Sequence, residues 1–378
     1  MGKFLLLATS AMGLEAVVAK EVRELGYECR VENGKILFEG DEKAIARSNL
    51  WLRTADRVKI VVGEFHAETF DELFEGTKAL PWERFIGPED EFPVSGKSVK
   101  SKLYSVPDCQ AIVKKAIVER LKSKYKKSWF EETGSKFPIE VSLLKDHVTL
   151  TIDTSGAGLH KRGYRVGQGE APLKETLAAA LVLLSNWSYD RPFADPFCGS
   201  GTIPIEAALI GQNIAPGFNR DFISETWSWF SPTIWDEARM EAEDLAQYDR
   251  HLHIIGSDLD PKMVEIAKKN ALEAGLSDMI TFKQMRATDF HSKEEYGVIV
   301  TNPPYGERMG ERAKVEKLYR ELGETFSKLD TWSIYIITSH EGFEDLYGKK
   351  ATKKRKLFNG FIKTDYYQYW GPRKPKDF

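Results

Sequence analysis

Residues 193–209 read FADPFCGSGTIPIEAAL. An apolar strand ends in an acid, Asp195, turns through glycines at 199 and 201, and enters a helix-forming run. That order sets bare backbone at the C-terminal edge of a parallel sheet, where nucleotide-like ligands approach. A phosphate loop would need Gly-Lys-Ser/Thr after four spacers, and no lysine follows. A dinucleotide loop would place a small residue where Pro204 stands. Asp195 would also repel a pyrophosphate, whereas it suits a cationic ligand. S-adenosylmethionine, with its sulfonium and amino group, is such a ligand.

Outward from this loop the chain alternates helix and strand. LKETLAAALVLL precedes it; IIGSDLDP, the helix MVEIAKKNALEAG, and the strands ITFKQM, YGVIVTN and SIYIITS follow. The fold class expected from residue 173 onward is α/β: a Rossmann-like, mostly parallel doubly wound sheet. LFNGFIKTDYYQYWG adds an antiparallel terminal hairpin turned near Asn359-Gly360. In GSDLDP, Asp258 lies just past the second strand and can accept both ribose hydroxyls, while Asp260 before Pro261 caps the next helix. Asp289 in RATDF follows a further strand and is a candidate acceptor for the adenine amino group, although an acid there is more often a turn residue.

The motif that decides the chemistry is TNPPYGERMG, 301–310. Two prolines stiffen the loop and remove two amide donors, so carbonyl oxygens dominate it. A base amino group is a poor nucleophile because its lone pair is conjugated to the ring. Acceptors at the Asn302 side chain and the Pro303 carbonyl would grip its hydrogens and aim that lone pair. Pro304 completes the rigid pair, and Tyr305 offers a stacking surface for an extruded base. An isolated Asn-Pro-Pro is ordinarily a turn. Here it follows a cofactor loop and a ribose acid in the same chain order.

Residues 1–155 alternate short strands with amphipathic helices, an α+β pattern. YECRVENGKILFEG turns at Asn33-Gly34, and IEVSLLKDHVTLTIDT turns at Lys145-Asp146. The glycine-rich TSGAGLHKRGYRVGQGEAP marks a boundary. The expected divisions are 1–43, 44–155, a linker 156–172, and 173–378. Between the glycine loop and GSDLDP, 211–250 forms an insertion with Trp227, Trp229 and Trp235, for which core packing is the ordinary use and a wall beside the cofactor the alternative.

Composition bounds the remaining choices. Net charge is −3, yet Gly96 to Lys127 holds ten basic residues against two acidic ones, and Lys349 to Lys356 holds six basic residues and no acid. Such runs are usually solvated helix faces; two in different regions favour a polyanion. Three widely spaced cysteines indicate neither disulfides nor a metal site. No apolar run approaches a membrane span, so a cytoplasmic protein without a membrane partner is expected.

Together, DPFCGSGT, GSDLDP, NPPYGERMG and the linker HKRGYR before APLKETLAAAL resemble those of class I methyltransferases with an N-terminal THUMP domain, especially bacterial 23S rRNA guanine-N2 methyltransferases. The resemblance covers nearly the whole chain. It implies a ferredoxin-like start, a THUMP domain over 44–155, and cofactor contacts from Asp195, Pro196, Phe197, Cys198, Gly199, Ser200, Gly201 and Thr202, from Asp258 and Leu259, and from Asp289. It implies that Asn302, Pro303, Pro304 and Tyr305 hold the target. It also implies that the THUMP region grips RNA, in 23S rRNA or a pre-ribosomal particle, and Lys97, Lys100, Lys102, Lys114 and Lys115 fall in it. Some relatives carry a second, fused methyltransferase; with none in this sequence, one activity is expected. The remaining readings are tRNA guanine-N2 methylation, adenine-N6 methylation and a non-catalytic RNA-binding protein. Carbon-5 pyrimidine methylation is disfavoured, because Tyr305 stands where a nucleophilic cysteine would be needed.

Overall fold

The computed structural model describes residues 2–169, 172–306 and 311–375. In chain order the strands are β1 (Phe4–Ser10), β2 (Cys29–Glu32), β3 (Lys35–Gly40), β4 (Ala55–His66), β5 (Val94–Val99), β6 (Ile139–Leu144) and β7 (His147–Asp153). They continue as β8 (Phe193–Asp195), β9 (Ile254–Asp258), β10 (Ile280–Gln284), β11 (Val298–Thr301), β12 (Ser333–Thr338), β13 (Lys353–Asn359) and β14 (Ile362–Tyr369). The helices begin with α1 (Glu15–Glu24), α2 (Glu42–Trp51), α3 (Phe70–Ala79), α4 (Val106–Tyr125) and α5 (Glu175–Leu184). They end with α6 (Thr202–Gly211), α7 (Pro232–Leu245), α8 (Pro261–Glu273), α9 (Arg312–Phe326) and α10 (Phe343–Tyr347).

Two compact units partition the chain: Met1–Ser10, Val18–Leu159 and Arg220–Glu241 form one; Ala11–Val17, His160–Asn219 and Ala242–Phe378 form the other. The first contains one seven-stranded sheet in the order β2-β3-β1-β4-β7-β6-β5, antiparallel except for the β5/β6 pair. The twelve-residue β4 pairs with β1 along one edge and with β7 along the other, so ferredoxin-like and THUMP portions share a sheet. The division expected at 43/44 lies within this unit, inside α2. Lys145 and Asp146 both take left-handed φ, 51° and 64°, as a two-residue turn between twisted strands requires. Thr69 and Glu72 close a capping box on α3.

Of the insertion, Arg220–Glu241 belongs to this first unit and the flanking residues to the second. Trp227 stacks on Phe137 at 4.6 Å and donates its Nε1–H to the Lys136 carbonyl at 2.9 Å. Trp235 is buried, and Trp229 donates to the Phe85 carbonyl. These tryptophans fill the core of the N-terminal sheet, where three large rings remove far more apolar surface from water than a site wall could.

The second unit holds a sheet in the order β10-β9-β8-β11-β12-β14-β13. The ladder from β10 to β12 is parallel, and β14 enters antiparallel beside β12. Central strands such as Ser333–Thr338 are buried at every position, as expected of a sheet covered on both faces. Among the described residues no helix is long and apolar enough to cross a membrane.

Candidate active site

Strand order reverses at β8: β9 and β10 extend to one side, β11 and β12 to the other. The crevice outside the C-terminal ends of such strands is where open α/β sheets bind ligands. Asp195, Asp258 and Thr301 occupy those ends on β8, β9 and β11. A cleft of about 820 Å³ opens there, lined by Pro196 and Phe197, Asp258 and Leu259, Arg286 to Thr288, Asn302 to Gly306, and Asn359 and Ile362. The cleft lies within the second unit.

The glycine loop is held from below. Gly199 and Gly201 take φ of +50° and +86°. A Cβ on Gly201 would come within 3.0 Å of the Ala267 Cβ, while one on Gly199 would meet nothing within 4 Å. Gly201 therefore serves packing, and Gly199 leaves open space for a ligand. Asp258 accepts the Gly199 N–H at 3.0 Å with Oδ2 and the Asp260 N–H at 2.9 Å with Oδ1. A carboxylate has about four acceptor sites, so two remain for a pair of hydroxyls.

Asp195 is buried, and its Oδ1 accepts from Thr301 Oγ1 at 2.6 Å and from the Phe197 N–H at 3.1 Å. It ties the start of the glycine loop to β11, the strand that leads into Asn302–Tyr305. Burial pushes its carboxyl up to about 7, and the Asp258 charge adds to the rise against the pull of those two hydrogen bonds. A cationic neighbour would relieve that cost, which fits the sulfonium and amino groups of S-adenosylmethionine. Cys198 is buried, its thiol pushed up by burial and by the two acids, so it is inert filling in the loop.

The prolines of the target loop have divided roles. Tyr305 donates its hydroxyl to Asn302 Oδ1 at 2.7 Å and accepts from Asn359 Nδ2 at 3.3 Å. One of the two lone pairs on Asn302 Oδ1 is thereby engaged, and no other described residue donates to it. The Pro304 carbonyl accepts from Tyr319 Oη at 2.5 Å, while no described residue donates to the Pro303 carbonyl. Tyr319 is fully buried on α9, bonds Thr338 at 2.8 Å, and is held protonated by burial. Residues 307–310 of the motif lie outside the described residues.

The residues that brace this site lie outside the sequence motifs that line it. Tyr319 lies in a helix without motif character. Asn270 on α8 accepts from the Val166 and Gly167 N–H groups and donates to the Gly167 and Ser200 carbonyls, fastening the linker to the glycine loop. Arg165 reaches Ser200 Oγ and Thr202 Oγ1 while paired with Glu175 at 2.7 Å. Ser200 and Thr202 thus face the linker arginine. Asp289 is exposed and not among the cleft-lining residues; Ala287 and Thr288 take that place, because the short 3-10 turn of 287–289 rotates the acid away.

The lysines expected to grip RNA do not form a bare cationic patch. Lys97 pairs with Glu140, which Lys59 also engages. Lys102 pairs with Glu68. Lys114 bonds Glu132 at 2.6 Å and lies 3.5 Å from the Phe92 ring centroid. Lys115 is exposed near the Phe74 ring, and Lys100 is exposed without an ion-pair partner among the described residues. The positive run in the sequence is offset by acids delivered from distant strands and loops, so charge local in sequence is not local in space.

Known proteins are similar to this chain over its whole length. Residues 162–368 match the model of the RMKL-like methyltransferase domain, 5–59 that of the RlmL ferredoxin-like domain, and 67–153 that of the THUMP domain. A Bacillus subtilis (strain 168) protein named "Putative RNA methyltransferase YpsC" is 65% identical over 378 residues, covering 100% of this chain and 98% of that protein. A Listeria monocytogenes crystal structure described as a "predicted N6-adenine-specific DNA methylase" shares 66% identity at a TM-score of 0.95, covering 98% of this chain and 97% of that one. The structure described as "SMU.472, a putative methyltransferase complexed with SAH" shares 54% identity at a TM-score of 0.95 over 99% of this chain and all of that one. With its cleft built on a class I sheet and these matches running end to end, the chain belongs to the RMKL-like methyltransferase family, with RlmL-type ferredoxin-like and THUMP domains ahead of its methyltransferase domain.

Proposed function

We propose that this methyltransferase acts on the exocyclic N2 amine of a guanine in 23S rRNA. The observation that carries the reading is the cleft lined together by Asp258, the glycine loop's Pro196 and Phe197, and the acceptor-rich Asn302–Tyr305 corner. The THUMP domain favours RNA over DNA, and the RlmL-type domain order favours large-subunit rRNA over tRNA. S-adenosylmethionine supplies an electrophilic methyl group on a sulfonium. The chain's own residues do the positioning: Asp258 accepts from the ribose, and Asn302 Oδ1 and the Pro303 carbonyl accept from the substrate amine. Tyr305 presents its ring to the base with its hydroxyl fixed at both sides. Geometry then contributes most of the rate.

Nucleoside mass spectrometry of rRNA and tRNA fractions from a strain lacking the gene tests this. Loss of N2-methylguanosine from the 23S fraction is expected. Loss confined to tRNA would move the substrate, and loss of N6-methyladenosine would replace the target atom, the reading suggested by the Listeria protein's description.

Two substitutions separate cofactor holding from target holding. Asp258→Ala should weaken S-adenosylhomocysteine binding by about 30-fold, since hydrogen bonds to a charged acceptor are lost, and lower kcat much less. Calorimetry showing unchanged affinity would remove Asp258 from the ribose site. Tyr319→Phe deletes the hydroxyl on the Pro304 carbonyl and should lower kcat by about 5- to 10-fold with cofactor affinity and KM nearly unmoved. A matching loss of cofactor affinity would mark Tyr319 as a general packing residue instead of a positioning residue for the target loop.

A further inference from the structure

The terminal hairpin ends in a side chain for which the fold has no packing use. β13 and β14 stay in register out to the Asn359↔Ile362 pair, so Gly360 and Phe361 alone form the turn. Gly360, at φ +63°, takes the first turn position that type II′ hairpins reserve for glycine. Phe361 follows at the corner and is completely exposed, at 105%.

A single exposed apolar residue needs no explanation by itself. Phe361 is different because of where the hairpin ends. The two residues that close the turn, Asn359 and Ile362, both line the cleft. Asn359 also donates to the Tyr305 hydroxyl, so the tip is coupled to the target loop at one bond's distance. The same hairpin carries Lys353, Lys356 and Lys363, all exposed and none ion-paired among the described residues. This contrasts with Lys97, Lys102 and Lys114 of the THUMP portion, each paired with a glutamate. An aromatic tip next to two cleft-lining residues, on a hairpin with unpaired cations, matches a nucleic acid strand with one base displaced.

We propose that Phe361 is a wedge: when the target base leaves its stack and enters the cleft, the phenyl ring occupies the vacated place, with the hairpin lysines against flanking phosphates. This rests on the reading that the substrate is RNA. Extruding a base costs stacking and pairing energy, and an inserted aromatic ring restores part of the stacking in any sequence context. The wedge acts before methyl transfer and leaves cofactor binding alone. Full exposure also means that Phe361 can be replaced without disturbing the core.

The test compares wild-type, Phe361→Ala and Phe361→Trp proteins. Methyl transfer is measured from tritiated S-adenosylmethionine to total RNA of a strain lacking the gene, folded with Mg²⁺, beside calorimetry with S-adenosylhomocysteine. Phe361→Ala should slow transfer by about 10-fold or more, and Phe361→Trp should stay within about threefold of wild type. All three should bind S-adenosylhomocysteine alike. The extra indole emission of F361W should be quenched when folded RNA binds. A wild-type rate for F361A would overturn the wedge, as would an F361W as slow as F361A, or unquenched emission with RNA bound. If the wild-type protein methylates no RNA at all, the substrate reading itself fails and takes the wedge with it.

Discussion

Asn302→Ala is expected to cut kcat for methyl transfer by about 100- to 1000-fold, the loss typical of removing one preorganised polar partner at a reacting centre. The affinity for S-adenosylhomocysteine should stay within about twofold of wild type, because Asn302 touches the target side of the cleft. The side-chain oxygen accepts from Tyr305 at 2.7 Å, which fixes its orientation before substrate arrives. Alanine removes both the acceptor for the substrate amine and the anchor of the Tyr305 hydroxyl, so base orientation and lone-pair aim are lost together. Asn302→Asp keeps an acceptor and should fall between the two. Single-turnover kinetics with calorimetry decide the matter; equal losses in rate and cofactor affinity would show that Asn302 braces the whole cleft.

Glu206→Ala is expected to be the most damaging change outside the cleft. Arg162 and Glu206 form an ion pair at 3.2 Å whose side chains are 3% and 0% exposed, and Tyr164 donates its hydroxyl to the same carboxylate at 2.9 Å. Burial disfavours the Arg162 charge, and the Glu206 carboxylate beside it outweighs that cost, so the guanidinium is held above its ordinary value. Removing the carboxylate leaves a buried cation and a buried hydroxyl without their shared acceptor, a loss of about 3–5 kcal/mol. In a unit of this size the melting transition should drop by roughly 10 °C. Glu206→Gln, which retains an acceptor, should lose less. Because the pair fastens the linker beside the glycine loop, cofactor affinity should weaken as the unit loosens. Scanning calorimetry showing the E206A transition within about 2 °C of wild type would refute the assignment.

Much of the second unit was legible in the sequence because its signals are local. The strand end at Asp195, the Gly199–Gly201 bend, the Asp258 terminus and the Asn302–Tyr305 loop each carry their chemistry within a few residues. The parallel order follows from the alternation of strands and helices. Strand β5 was harder: VSGKSV has a central glycine and two serines, and its pairing with β6 supplies what its side chains do not. The lysine run misled for a related reason, since Glu68, Glu132 and Glu140 reach it only through the tertiary fold.

The sequence by itself determined the class of fold, the glycine loop at the β8 end and the proline-paired Asn302–Tyr305 corner, because backbone-permissive glycines, paired prolines and terminal acids act where they stand in the chain. Only the tertiary structure decided that the 220–241 tryptophans belong to the N-terminal core, that Asp289 turns away from the cleft, and that Tyr319, Asn270 and Arg165 brace the site. These depend on contacts between segments far apart in the chain, and such contacts are set by packing and buried hydrogen-bond satisfaction.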